Sequence, residues 1–373
     1  MTTTTSLFTI NNQTIKLVDN DSYQLEIVDG ESSDTTIEQL PEYLHRKIVV
    51  IDSINSGSGR TNKDIYESIL KPLFEKFSIN HDYIKTESSS SIETFSKKLV
   101  HDDYLIIFIS GDTSINELVN NLEFNSNGNN SIVIFPIPAG TGNSLALSLE
   151  ITDISTAIVK LFTGKISDLN LYQVDLPNGS NYLINQKKIP ITKPVNFLVV
   201  FSWGFHASLV ADSDTPELRK FGLNRFKMAA ADNLSRDQTY KGDYSILGNN
   251  NSFSGPFSYW VLTAAKKFEP TFEILPNGNI LERNLYVISF KNDVDIVEVM
   301  TQVYQNGSHI KNPVVAYEKV DNKLILNTIT ENDIERRFCV DGAIVCLPDI
   351  KEQTIEVKPL GNIYNNWKIE VLH

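Results

Sequence analysis

Apolar residues follow two different rhythms along this chain. In the first, uninterrupted apolar runs alternate with helix-spaced segments. Ile48–Ile51, Tyr104–Ile109 and Ile132–Phe135 are continuous runs, the pattern of strands covered on both faces. Between 62 and 77, Ile65, Ile69, Leu73 and Phe77 recur four apart, which predicts a helix. A strand near Tyr83-Ile84, a helix near 91–100 and a helix from Thr113 continue the alternation. Strands alternating with helices imply a parallel sheet with right-handed crossovers.

After about residue 165 the rhythm changes. Strand-like runs at 166–177, 195–202, 258–264, 282–290, 314–327, 336–347, 353–358 and 366–371 dominate, with helical patches near 216–233 and 294–305. That half reads as mostly antiparallel. Ahead of both lies a stretch of short alternating strands, Leu7–Ile10 and Tyr23–Val28, with an acidic linker. The expected fold class is therefore α/β plus β: an N-terminal three-layer parallel-sheet nucleotide domain, then an antiparallel β-sandwich-like domain. The boundaries read as an N-terminal extension over 1–45, the α/β domain over 46–150 and the β-rich domain over 151–373.

Composition narrows the class. The 373 residues are 41% hydrophobic and 21% charged, as in ordinary soluble domains. A net charge of -13 argues against a general nucleic-acid binder and against a strong electrostatic anchor on anionic membranes, while leaving brief membrane visits open. Cys339 and Cys346 have no histidine at metal-ligand spacing and read as reduced core thiols. The polar start shows no secretory signal, and no apolar run approaches the roughly 20 residues of a membrane span. The expectation is a cytoplasmic protein, peripheral at intracellular membranes.

Two short stretches carry the candidate chemistry. Ser110-Gly111-Asp112-Thr113-Ser114 and Pro138-Ala139-Gly140-Thr141-Gly142-Asn143 each follow an apolar strand and lead into a helix. Turns without bulky side chains let backbone N–H groups approach a phosphate, with the helix behind adding its positive end. Asn55-Ser56-Gly57-Ser58-Gly59 forms a third such turn. Asp112 falls at the carboxyl end of a parallel strand, where open sheets bind ligands. A carboxylate there can take the proton of a hydroxyl attacking a phosphoryl group; equally, it can cap the following helix. Ser114 to Glu117 fits a capping box, which competes with a phosphate-side or metal-side role for Glu117. Arg219 and Arg225 suit phosphate by their bidentate forks, or are solvated surface arginines. Asp212 and Asp214, beside the aromatic run Phe201–Phe205, suit a lipid's polar head, or a turn after a core strand. His206 reads as structural.

At these residues the chain resembles the diacylglycerol kinase catalytic-domain superfamily, within it the sphingosine kinase and ceramide kinase branch. The resemblance covers about 46–150 and 195–230, with an echo at 336–347. Asn55 to Gly59 is similar to the family's first glycine turn, Ser110 to Asn120 to its central Gly-Asp block, and Pro138 to Asn143 to its intact Pro-x-Gly-Thr-Gly-Asn motif. Ser202-Trp203-Gly204-Phe205, Asp212, Asp214, Arg219 and Arg225-Phe226 look like the sphingosine kinase substrate segment. The resemblance implies that Asp112 is the catalytic base. It implies ATP contacts from Asn55, Ser56, Gly57, Thr86, Glu117, Gly140, Thr141, Gly142, Arg219, Arg225 and Asp341. Ser110, Gly111, Asp214 and Asp212 would lie on the substrate side, with Asp214 ahead of Asp212 for the lipid head.

The implied reaction is ATP- and Mg²⁺-dependent phosphorylation of a lipid hydroxyl, with a sphingoid base or ceramide ahead of diacylglycerol, in a cleft between the domains. A lipid substrate, a transient membrane surface and no nucleic acid are the expected partners. Three positions depart from the family: Ser56 replaces proline, Thr113 replaces the glycine after the aspartate, and Asp341-Gly342-Ala343 lacks the final glutamate. Thr113 and Ala343 keep open a weakened or inactive nucleotide- or lipid-binding pseudokinase. The shared Gly-Asp logic keeps open a soluble-substrate enzyme of the NAD kinase kind.

Overall fold

The computed structural model describes residues 2–31, 33–54, 63–126, 128, 130–184, 187–222, 224–248 and 251–373. The chain divides into two compact units: residues 1–168 with 363–373, and residues 169–362.

The first unit is built on a mostly parallel sheet. Its strands run, side by side, Ile363–Tyr364, Trp367–Leu372, Ser131–Pro138, Tyr104–Ser110, Lys47–Asp52 and His81–Lys85. The last five of these are mutually parallel. The interior of Lys47–Asp52 and the whole of Tyr104–Ser110 are buried, which is why both read as unbroken apolar runs. The chain passes from Lys47–Asp52 to His81–Lys85 on one side, then back to Tyr104–Ser110 on the other. This reversal is the topological switch point at which open sheets form a crevice beyond their strand ends. The expected helix over 62–77 takes shape as a π-turn at Tyr66–Leu70 and an α-helix at Lys71–Lys76. Pro72 sits at this junction; it lacks the N–H that an uninterrupted α-helix would use. A helix at Ile154–Thr163, capped by Asp153, was not anticipated.

Two boundary expectations are corrected. Residues 1–45 are not an appendage. Thr3–Ile10, Gln13–Asp19, Tyr23–Asp29 and Thr36–Ile37 form a four-stranded sheet in the same compact unit. Its buried Phe8 lies 4.9 Å, ring to ring, from Phe162 on the helix Ile154–Thr163. Nor does the second domain run from 151 to 373. Residues 151–168 stay with the first unit, and Trp367–Leu372 returns to extend the parallel sheet beside Ser131–Pro138. Trp367 is 2% exposed and donates its indole N–H to the Glu123 carbonyl at 3.0 Å, which anchors that return.

The second unit is two antiparallel sheets. One orders Val195–Phe197, Leu171–Asp175, Glu352–Gly361, Leu324–Ile329, Lys241–Ile246 and Asn251–Ser254. The other orders Lys187–Pro190, Asn181–Ile184, Ala343–Cys346, Arg337–Val340, Val200–Gly204, Phe257–Thr263, Tyr286–Lys291 and Ala316–Lys319. Side chains from both share one core, including Tyr172, Tyr244, Leu326 and Val357 from the first and Phe201, Trp203, Trp260 and Phe338 from the second. This is the expected sandwich-like arrangement. A helix at Phe205–Ser213 takes in Asp212, for which a turn after a core strand is one of the two readings from sequence. Gly204 starts it with φ 77°, and a Cβ there would sit 2.7 Å from the Ser258 carbonyl oxygen, so glycine is required on both counts. Among the described residues no helix is long and apolar enough to cross a membrane.

One carboxylate pins this unit internally. Asp341 and Gly342 have φ 46° and 87°, the two left-handed positions of a tight turn between Arg337–Val340 and Ala343–Cys346. Asp341 is 1% exposed and accepts from the N–H groups of Leu198, Val199 and Val200 at 2.7, 2.9 and 2.8 Å. Those donors lie where the chain passes from Val195–Phe197 in one sheet to Val200–Gly204 in the other. Asp341→Ala would leave three buried donors unsatisfied, an expected loss of roughly 3 kcal/mol or more, with Asp341→Asn losing less. Urea denaturation checks this: the midpoint should fall without a change in slope, and an unshifted midpoint would refute the pin.

Candidate functional site

The carboxyl edge of the parallel sheet brings the two chemistry-bearing turns together. Tyr104–Ser110 and Ser131–Pro138 pair in register up to Ser110 opposite Pro138, so their turns leave the sheet side by side. The Ser110 carbonyl accepts from the Ala139 and Gly140 N–H groups at 3.3 and 3.1 Å. A Cβ on Gly140 would lie 2.4 Å from the Gly111 Cα, and one on Gly111 would lie 2.6 Å from the Gly142 carbonyl oxygen. Neither residue has positive φ, so the glycines are required for space rather than for conformation.

Asn143 braces the second turn from within. Its Oδ1 accepts from the Gly140 N–H and its Nδ2 donates to the Gly140 carbonyl, both at 2.9 Å. This corrects one expectation: the Gly140 N–H is turned inward onto Asn143 and Ser110 and does not point outward. The N–H groups of Thr141 and Gly142 make no hydrogen bond among the described residues, and both residues are half-buried. Those two amides are the hydrogen-bond donors this turn leaves unused among the described residues.

Asp112 is the first residue of the helix Asp112–Asn120, with Gly111 as its extended N-cap. Its carboxylate does not cap that helix. It accepts instead from the Ser144 and Leu145 N–H groups, at 2.7 and 3.0 Å, at the start of Ser144–Ser148. The side chain therefore reaches from one turn to the helix that follows the other. Burial pushes its pKa above the ordinary carboxylate value, while hydrogen bonds from Leu145 and Ser144 pull the other way. Each carboxylate oxygen has two lone pairs, so two N–H bonds leave acceptor capacity for a substrate proton. Thr113, where a glycine had been expected, has ordinary helical backbone and an exposed side chain. No left-handed conformation is demanded there, so threonine distorts nothing.

Ser110 is 4% exposed, with its hydroxyl on the Gly111 carbonyl at 3.1 Å. Thr86, 6% exposed, follows the strand His81–Lys85 on the same edge, and its N–H donates to the Asp52 carbonyl at 2.9 Å. Glu117 makes no capping box, because the helix begins at Asp112, two residues before Ser114. Burial raises its pKa to about 7; a bond from the Glu93 N–H opposes this and the Glu93 charge adds to it. Asn55, Ser56 and Gly57 lie outside the described residues.

The remaining candidates fall in the second unit, where each acidic one is already engaged. Asp214 takes the Arg219 fork at 2.9 Å on both oxygens, and Arg225 stands 3.5 Å away. Burial lowers the Arg225 pKa, and its buried Nε has no hydrogen-bond partner among the described residues. Asp212 accepts from Asn233 at 3.0 Å and Arg337 at 2.6 Å, and pairs with Arg236. Burial would raise its pKa, but hydrogen bonds from Arg337 and Arg236 hold it below the ordinary value. Asp212 thus ties its helix to Asn224–Leu234 and to the strand Arg337–Val340, a structural task its place in the sequence did not disclose. Asp341, expected on the nucleotide side, is 1% exposed, and its two oxygens accept from the backbone amides of Leu198, Val199 and Val200. His206 shares a 2.7 Å hydrogen bond with Ser202 through Nδ1, and burial lowers its pKa to about 4. Cys339 and Cys346 are buried free thiols, the first pushed up to about 12 by desolvation.

Asn143, Asn233, Arg236 and Arg337 are the partners that sequence reasoning passed over. Only Asn143 had a signal, as the last residue of its glycine motif. Among the described residues, no three histidine, cysteine or acidic side chains gather as a metal site. The donor set thus offers no ready-made cage for Mg²⁺, which proteins commonly hold through one or two carboxylates and the phosphates of a bound nucleotide.

Residues 47–174 match the family model of the diacylglycerol kinase catalytic domain. A diacylglycerol kinase structure from Bacillus anthracis strain Sterne superposes with a TM-score of 0.54 at 13% identity, covering 88% of this chain and 97% of that one. Two further structures from that organism, assigned to the same kinase class, give TM-scores of 0.56 and 0.54 at 13% and 15% identity with the same coverage. At such identities the likeness speaks for the fold. None of the curated proteins matches the chain.

The Glu117 environment has a pH signature. Its folded pKa, about 7, lies above the unfolded 4.5, so the folded chain holds the proton more tightly. Ionising it costs stability as pH rises from 4.5 through 7. Glu117→Gln, always neutral, should melt higher than wild type at about pH 8, with the gap closing near pH 4. Parallel melting profiles across that range would refute the buried setting.

Proposed function

From the premise that residues 47–174 belong to the diacylglycerol kinase catalytic-domain superfamily, we propose that the chain is an ATP-dependent lipid kinase with Asp112 as its base. The observation that carries this reading is the placement of the Asp112 carboxylate between two glycine turns at the switch-point edge of a parallel sheet. The lipid hydroxyl oxygen attacks the terminal phosphorus of ATP, the bond to the bridging oxygen breaks, ADP departs, and Asp112 receives the hydroxyl proton. The N–H groups of Thr141 and Gly142 donate to phosphate oxygens, and their charge stabilisation needs no side chain to reorganise. Mg²⁺, bound with the nucleotide, supplies charge neutralisation on the phosphates.

Substrate choice rests on the segment from Ser202 to Phe226. Its resemblance to the sphingosine kinase substrate stretch favours a sphingoid base or ceramide over diacylglycerol. Asp214, with 37% of its side chain exposed, is the more accessible of the two aspartates for a polar lipid head; Asp212 is 23% exposed and tied by three partners. The helical backbone of Thr113 speaks against the pseudokinase reading as far as that residue is concerned.

Incubation with terminally labelled ATP, Mg²⁺ and detergent-dispersed sphingosine, ceramide and diacylglycerol tests the proposal. Asp112→Asn keeps a helix-capping oxygen and should fold, yet lower phosphate transfer by about 100-fold or more. Equal transfer by the two proteins, or transfer to NAD but to no lipid, would overturn it.

A further inference from the structure

We propose that the hairpin formed by Asn181–Ile184 and Lys187–Pro190 is a docking element for anionic lipid membranes. The first observation is its place at a sheet edge. Asn181–Ile184 pairs with Ala343–Cys346 only at Asn181 and Tyr182, opposite Cys346 and Val345. Leu183 is half-buried beside Ala207, Cys339 and Ile344, whereas Ile184, opposite Lys187, is exposed. Lys187–Pro190 is the edge strand of its sheet and is exposed throughout. The outer strand of this two-stranded ribbon therefore closes one edge of its sheet with its side chains in solvent.

The second observation is which side chains the ribbon exposes. Cross-strand pairs share a face, so Ile184 opposite Lys187 and Tyr182 opposite Ile189 all lie on one side. Tyr182 packs on the core, whereas Ile184 and Ile189 are 40% and 46% exposed. Two large aliphatic side chains on one face of a solvent-facing ribbon are a liability that edge strands normally avoid. Lys187 lies beside them on the same face, and neither Lys187 nor Lys188 has an ion-pair partner among the described residues.

The third observation is charge, and it chooses the occupant. The chain carries 46 acidic residues and a net charge of -13, yet has no Asp or Glu from Leu176 to Ala211. The only Lys or Arg residues in that run are Lys187, Lys188 and Lys193. At such a stretch an otherwise acidic chain offers lysines that an anionic leaflet attracts and aliphatic tips that can enter the headgroup boundary. Paired apolar and basic signals fit a lipid surface better than a protein partner, since either signal alone would bind a membrane only weakly. The inference concerns where the chain meets a membrane and does not depend on phosphate transfer.

Flotation of the full-length protein with vesicles tests it, using phosphatidylcholine alone and phosphatidylcholine with 30% phosphatidylserine. Wild type should float with the anionic vesicles, less so with the neutral ones, and less as salt rises. Lys187→Glu with Lys188→Glu should reduce anionic-vesicle binding by about tenfold or more. Ile184→Ser with Ile189→Ser should reduce it as well, and both pairs should melt as wild type does, since the positions are exposed. Phosphate transfer to detergent-dispersed lipid should be unaffected, which separates this test from that of the kinase reading. Wild type failing to float, floating equally with both vesicles, or floating no better than the hairpin variants would overturn the proposal.

Discussion

The first unit depends on an approach of two backbones that leaves no room for a side chain. Gly111 and Gly140 meet so closely that a Cβ on Gly140 would lie 2.4 Å from the Gly111 Cα. Register makes this unavoidable: the strands before these turns are hydrogen-bonded neighbours to their ends, so the turns must cross the sheet edge together. Ser110 and Asn143 then hold the contact through the Gly140 amide and carbonyl. Asp112 completes it by reaching from the first turn to the helix behind the second. Position and electrostatics are thereby coupled in one side chain. The bonds that orient the carboxylate lower its pKa, the burial they impose raises it, and burial is the larger effect.

Much of this edge was legible in the sequence, for a physical reason. A strand buried on both faces must be apolar without interruption, and Ile48–Ile51 and Tyr104–Ile109 announce themselves that way. Glycine turns after such strands are local, and so is the helix start that follows. What could not be read was non-local. The strand Trp367–Leu372 joins a sheet whose other parallel strands end at Pro138, and nothing in its own pattern names that neighbour. The N-terminal strands read as an appendage because Phe8 meets its partner, Phe162, more than 150 residues further on. The helix Phe205–Ser213 lacks a one-sided apolar stripe: it buries Phe205, Ala207, Ser208 and Ser213, and small residues against a sheet leave little periodic signal.

Charged residues were the least legible, because a sequence shows a side chain's chemistry but not its partner. Asp341 sits in an Asp-Gly pair that looks like part of a ligand motif. Its neighbours in space, Leu198 to Val200, are about 140 residues away, and their three amides bond to its oxygens. Asp212 is absorbed in the same way by Asn233, Arg236 and Arg337. A buried carboxylate must be hydrogen-bonded or paired, so these residues were bound to have partners. Which partners, whether backbone amides, arginines or a ligand, is a question of tertiary structure.

The distinction matters most at Asp214. Its two oxygens occupy the Arg219 fork through Nε and one terminal nitrogen, the pair of donors that suits a phosphate. An anion arriving at Arg219 must displace a carboxylate already held with good geometry, so its net gain is the difference between two charge-assisted contacts. That pair is partly exposed, with 48% and 37% of the side chains accessible, and exposed ion pairs are worth little. Exchange is therefore inexpensive at Arg219. Arg225 differs: it stands 3.5 Å from the same carboxylate, 13% of its side chain is exposed, burial lowers its pKa, and its Nε has no hydrogen-bond partner among the described residues. A buried guanidinium with an unmet donor gains more from a new anion than an exposed one already paired. Of the two arginines, the less conspicuous one thus has the larger driving force for binding negative charge.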